Sequence, residues 1–244
     1  RAQALTDSLA KLDSYNREIT DVQEERFQRL AAAHRHAIEL FMGELRTADA
    51  DRSEFDRLYP RQADGTRRSA PGLFEGMQTP FGYVRGMGAF IKNDPGPAER
   101  ARLLAATRVV HAVGEGVRPE LKSLYYFTPR SDVIMFAPDR ADKLLYYRKL
   151  APASFDFRDR EMFRITTPAN NPGRRTRCTS LQTILYDQTR TIWTTGCQTP
   201  VDVAGVQVGA FGTSVLLDDL LKTGHFNGLP SADVILISGE GRLI

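Results

Sequence analysis

Apolar residues recur through the first 48 positions in steps of three and four: Leu5, Leu9, Leu12, Tyr15, Ile19, Val22, then, after a break, Phe27, Leu30, Ile38, Phe41 and Leu45. No proline and, before Gly43, no glycine interrupts them. The period predicts a long amphipathic helix over residues 1–48, with acidic and basic side chains on its solvated face. At about 1.5 Å per residue it would reach roughly 70 Å, longer than a compact domain needs. Two compatible roles follow: a cap on the domain behind it, and a stalk that pairs with a second copy of itself.

The pattern then changes. Between Asp49 and Pro97, prolines and glycines recur at Pro60, Pro71, Gly72, Gly76, Pro80, Gly82, Gly86 and Gly88. This is loop text, with one short helix expected at Phe81–Ile91. A second helix is expected at Pro97–Val113, with Pro97 in its first turn, Glu99 at its positive end, and Gly114 and Gly116 ending it. SLYYFTP (123–129) and VIMFAP (133–138) read as a hairpin of aromatic and β-branched residues. Leu144–Lys149 is helix or strand. CTSLQTILYD (178–187) and TIWTTGCQTPV (191–201) read as a second hairpin turning near Gln188–Thr189. A glycine-punctuated strand, Val206–Val215, then leads into a short helix at 216–224. Helical crossovers between strands are lacking, so the fold class is α+β with one antiparallel sheet.

Composition narrows the function. With 41% hydrophobic and 26% charged residues the chain is ordinary globular protein. A net charge of +3 without a dense basic stripe argues against nucleic acid. No stretch approaches the roughly 18 apolar residues of a membrane span. Phosphate-loop, nucleophile-elbow and zinc-protease motifs are lacking, and no cofactor is expected. His34, His36, His111 and His225 are scattered and read as surface residues. Asp218 and Asp219 complement the start of the last helix, and no constellation argues for catalysis.

Two local features remain. Cys178 and Cys197 fall on the two strands of the second hairpin, within about one register step of facing each other. A disulfide and a pair of buried thiols are both open at this point. Arg158, Arg160, Arg164, Arg174, Arg175 and Arg177 crowd one segment. Arg174 and Arg175 follow a turn at 170–173 and read as surface. Arg160 is framed by Phe155, Phe157, Met162 and Phe163, so its guanidinium would lie near apolar surface and need a partner.

The order of these segments resembles the membrane-distal module of double Cache domains, the PAS-like extracytoplasmic sensors of bacterial receptors. It comprises a long entering helix, the pair SLYYFTPRSDVIMFAP, the segment FDFRDREMF, the hairpin ILYDQTRTIWTTGCQTPV and the strand DVAGVQVGAFGTSVLLDDLL. The resemblance implies a helix at 1–48 for signalling and dimerisation, a distal module at 49–229, and the opening strands of a membrane-proximal module at 230–244. The chain begins at Arg1 and closes on ADVILISGEGRLI, so membrane and output segments are expected outside it. An oxidising compartment outside the inner membrane is implied, and with it a Cys178–Cys197 disulfide.

In the family, the segment matching FDFRDREMF crosses the ligand pocket. The amino-acid-binding subgroup has Arg, then Trp-Tyr, and a late Asp that holds the ligand amine. Arg160 matches the Arg, Phe155 stands where a Tyr is usual, Met162–Phe163 replace Trp-Tyr, and Ser214 takes the place of the Asp. The implied site comprises Arg160, Phe155, Phe163, Tyr125, Tyr147, Tyr186, Trp193 and Ser214. Its expected ligand is a small organic anion without an ammonium group, its carboxylate held by Arg160. Otherwise Arg160 forms a structural ion pair, for instance with Asp187. The implied whole is a sensor histidine kinase, non-enzymatic in this region and dimeric through the first helix. A diguanylate cyclase, a chemoreceptor and a periplasmic solute-binding or scaffold protein are the alternatives.

Overall fold

Helix α1 (Ala2–Thr47) forms as the periodicity requires, but only part of it touches the rest of the protein. Leu30, Ala33, His34, Ala37 and Phe41 lie on one buried stripe. Farther out, Leu5 is 63% exposed and Leu9 55%, and Leu12 and Val22 also face solvent. The computed structural model describes residues 2–47, 51–118, 120–184 and 191–223. The expected module at 230–244, Tyr186, Asp187, His225 and the turn at 188–189 lie outside them.

After α1 come α2 (Arg52–Leu58), capped by the Asp51 carboxylate on the amides of Ser53 and Glu54, β1 (Arg67–Arg68) and α3 (Pro71–Glu75). Then follow β2 (Met77–Thr79), β3 (Gly82–Val84), β4 (Met87–Ile91) and α4 (Pro97–Gly116). The hairpin is β5 (Leu124–Phe127) and β6 (Val133–Phe136). A π-helical turn (Tyr146–Leu150) and α5 (Glu161–Arg164) lead to β7 (Arg177–Cys178), β8 (Gln182–Thr183), β9 (Trp193–Val203), β10 (Val206–Leu216) and α6 (Leu217–Thr223). One sheet runs β1-β4-β6-β5-β10-β9-β7, with β8 also on β9, and every pairing is antiparallel. The chain is α+β, a long N-terminal helix with one large antiparallel sheet.

Four expectations are corrected. Residues 81–91 are not helical: β2 and β3 make a small hairpin, and β4 is buried on both faces, so its run MGAFI lacks the alternation that marks a strand. Gly114 does not end α4, which continues to Gly116; a Cβ there would lie 2.4 Å from the Phe136 ring, so the glycine is a packing contact. His34 is not a surface residue but fully buried. Arg174 is not free on the surface: its guanidinium makes a forked ion pair with Asp202 and donates to the Thr166 carbonyl.

Alternation along the strands sorts side chains onto two faces. Tyr126, Ile134, Phe136, Val201 and Phe211 face the helices and pack with Phe41, Phe55, Leu104 and Val110. Tyr125, Phe127, Val133, Met135 and Ala210 face the other way, under the segment 144–163. That segment is pinned by Arg68, which donates to the carbonyls of Tyr147 and Ala151 and stacks 4.5 Å over Phe90. Cys178 and Cys197 stand directly opposite each other and are joined, their Cα atoms 3.9 Å apart.

Candidate functional site

The face opposite the helices holds a cavity of about 380 Å³. Its floor is the middle of the sheet: Tyr125 from β5, Val133 and Met135 from β6, Thr194, Gly196 and Gln198 from β9, and Ser214 from β10. Tyr147 from the π turn, Phe157 and Met162 close one side, and Gln182, Thr183 and Ile184 the other. Arg160, at the N-terminal boundary of α5, lines it as well and is exposed. The two sides are tied together next to Arg160, where the Glu161 carboxylate accepts from the Ser180 amide at 3.0 Å and its hydroxyl at 2.5 Å.

Glycines make the room. Gly212 pairs with Tyr125 across the sheet, and a Cβ there would lie 2.2 Å from the tyrosine ring. At Gly196 a Cβ would meet Gln198 Nε2 at 2.6 Å and the Tyr125 hydroxyl at 3.2 Å. The phenol therefore lies across bare backbone and meets Gln198, whose Nε2 donates to the Tyr125 oxygen at 2.9 Å. Burial pushes the Tyr125 phenol up to about 12, with Gln198 and Ser214 pulling weakly the other way. Burial likewise raises Tyr147. Both are neutral hydroxyls at ordinary pH.

Among the described lining residues there is no Asp or Glu, and Arg160 is the ionised one. Arg160 has no ion-pair partner among the described residues, and its charge reaches the half-buried Tyr146 phenol, which burial raises and Arg160 lowers. No group of three or more His, Cys, Asp or Glu residues that could hold a metal occurs among the described residues.

Of the residues singled out by sequence, Arg160, Tyr125, Tyr147 and Ser214 come together around this cavity. Three others do not line it. Phe155 is spent in an aromatic stack behind Tyr147, edge-on to Phe90 at 5.2 Å and to Tyr146 at 5.5 Å. Phe163 anchors α5 against Phe127 and Phe157. Trp193 stands 45% exposed, on the opposite phase of the alternation from Thr194, Gly196 and Gln198. Tyr186 lies outside the described residues. Gln198 was missed, although its place one residue from Cys197 put it on the face opposite the cysteine.

Behind this floor, the same two strands hold the helix. His34 Nδ1 lies 3.0 Å from Thr199 Oγ1 and its Nε2 2.9 Å from Thr213 Oγ1. One threonine hydroxyl donates and the other accepts, and burial alone drops the imidazole pKa to about 3. Thr199 adjoins Gln198, and Thr213 adjoins Ser214, so cavity and helix contact opposite sides of the same backbone. No helix among the described residues is long and apolar enough to cross a membrane. No family model matches the sequence, and no curated protein or solved structure matches it.

Proposed function

We propose that this chain is the ligand-sensing, extracytoplasmic part of a transmembrane signalling receptor, a Cache-type, PAS-like module of a sensor histidine kinase, and that it binds a small organic anion. The observation that carries the ligand reading is the cavity: about 380 Å³, with the Arg160 guanidinium lacking an ion-pair partner among the described residues and no carboxylate among its described lining residues. A bidentate contact from Arg160 to a carboxylate supplies the charge the site lacks, while an ammonium group finds no counter-ion among the described lining residues. The segment order and the long helix packed on an antiparallel sheet support the Cache assignment. The Cys178–Cys197 bond supports an oxidising compartment.

The test is a thermal-shift screen of carboxylates and amino acids on the chain and its Arg160→Ala variant. A ligand at about a hundred times its Kd stabilises by roughly 2.7 kcal/mol, about 5–10 °C in a chain of this size. The expected result is a carboxylate shift that vanishes in the variant. A shift that needs the ligand's amine, or one indifferent to Arg160, would overturn the reading.

The exposed stripe of α1 supports pairing with a second copy. Leu30 is buried within the chain itself, so the seam available for pairing runs from Leu5 to Val22. Weak on its own, such pairing gains from membrane tethering through effective concentration. A cysteine placed at Leu12 should crosslink to its copy in membranes, and its failure to do so would count against the dimer.

A further inference from the structure

Gln198 is fully buried, yet only one end of its amide is satisfied. Nε2 donates to the Tyr125 hydroxyl, and Oε1 has no partner among the described residues. An unmet acceptor in that setting is destabilising, a penalty a structure retains where something else supplies the bond. A half-turn of the amide would let Tyr125 donate to Oε1 and leave Nε2 open instead. A partner that suits either orientation both donates and accepts. A carboxylate only accepts and an ammonium only donates, whereas a hydroxyl does both.

The remaining walls set the shape between that hydroxyl and Arg160. Met135, Tyr147, Phe157 and Met162 form an apolar side, facing a neutral polar side on β8 and β9. Thioethers and ring edges of this kind favour a flat aromatic body. The volume corresponds to about 15 non-hydrogen atoms, on the roughly 25 Å³ per atom that benzene occupies in a cavity of its own size.

We propose that the cavity is selective for a phenolic carboxylate, its carboxylate on Arg160, its ring against Tyr147 and Phe157, and its hydroxyl on Gln198 and Tyr125. This rests on the anion reading above and adds the hydroxyl and the ring. The experiment is calorimetric titration of the whole chain with two matched pairs: 4-hydroxyphenylacetate with phenylacetate, and 3-(4-hydroxyphenyl)propionate with 3-phenylpropionate. In at least one pair the hydroxylated acid should bind about tenfold tighter or more, because the deoxy parent leaves the buried amide unmet. Gln198→Met should erase that preference without weakening the deoxy acid, and Arg160→Ala should weaken both members. If Gln198→Met does not fold, Tyr125→Phe tests the same pair of groups and should shrink the preference.

Equal affinity within both pairs, with Arg160 still required, would overturn the hydroxyl assignment and leave the anion reading standing. No binding of these acids beside a clear response to aliphatic carboxylates would overturn the aromatic assignment. Silence toward every carboxylate would bring down the anion reading itself, and this one with it.

Discussion

Residues 198 and 199 are neighbours on β9, and they live in different chemistries. Thr199 faces α1 and is fully engaged, its hydroxyl against His34 at 3.0 Å and against Thr176 at 2.7 Å. Gln198 faces the cavity with half its amide unmet by the described residues. The same contrast repeats across the sheet. On the helix side, Tyr126 and Phe211 meet ring to ring at 5.2 Å and their surroundings are closed. On the other side, Tyr125 lies over two glycines beside open volume. One face is filled with interlocking rings; the other leaves open volume beside Gln198. A packing void beside a lone polar atom is disfavoured in a core, and the asymmetry is what the proposed binding site requires.

The largest break in that comparison is expected on the filled face. Phe211→Ala removes a ring with no exposed surface that contacts Phe41 and Tyr126, and should cost about 3–5 kcal/mol in urea unfolding. A loss under about 1 kcal/mol would mean that the helix face is not the closed core its packing indicates. Next is the covalent link at the sheet's edge. The Cys178–Cys197 bond spans 19 positions, and reducing it should lower stability by about 3 kcal/mol on the chain-entropy account. Mass analysis of non-reduced material from the proposed periplasmic compartment should find the two cysteines linked, and two alkylatable thiols there would contradict both the bond and the proposed compartment.

How much of this was legible in the sequence differs between the faces. The helix side was written in periodicity: α1, α4 and the hairpin β5–β6 stand close to where their patterns put them. His34 was misread because an apolar tally passes over a polar residue. Yet it sits four positions after Leu30 and seven before Phe41, squarely on the buried stripe. Alternation also carried the facing cysteines and, unread, the orientation of Gln198. Other features left no local trace. Nothing near Arg68 in the chain announces that it clamps carbonyls at Tyr147 and Ala151, and nothing near Arg174 announces Asp202, because both pairings depend on how distant segments meet. The strands at 77–91 were hidden by their shortness and by burial on both sides of β4.

The contact between His34 and the strands should show itself in pH. Its folded-state pKa, about 3, lies below the ordinary value of 6.5, so the unfolded chain binds a proton that the folded chain refuses. The contribution is complete above pH 6.5 and is lost as pH falls from 6.5 toward 3, at up to about 1.4 kcal/mol per unit. Between pH 6.5 and 5 the loss should be about 2 kcal/mol. His111, also lowered by burial, slopes the same way, whereas Asp156 and Asp64, whose pKa values lie below the ordinary carboxylate value, act only in more acid solution. Comparison of chemical denaturation at the two pH values in the parent and in His34→Gln isolates the buried imidazole. An unchanged slope in the variant would remove His34 from the account. Thr199→Val should cost about 1–3 kcal/mol at neutral pH, since it leaves one imidazole nitrogen buried and unpaired.

The smallest effect is the most informative, because it concerns the residue next door. Gln198→Met keeps length and burial, removes the unmet oxygen, and gives up one hydrogen bond to Tyr125. The gain from deleting a buried, unsatisfied acceptor and the loss of a neutral hydrogen bond are each about 1 kcal/mol, so stability should move by less than about 1 kcal/mol in either direction. Unfolding of the two variants side by side, Thr199→Val and Gln198→Met, then reads the two faces of one strand through adjacent positions. If Gln198→Met were as damaging as Thr199→Val, its amide would be part of the structural network, and the cavity floor would be core instead of site. If only Thr199→Val destabilises, Gln198 is dispensable for the fold, and what it contributes must be sought in what the cavity holds.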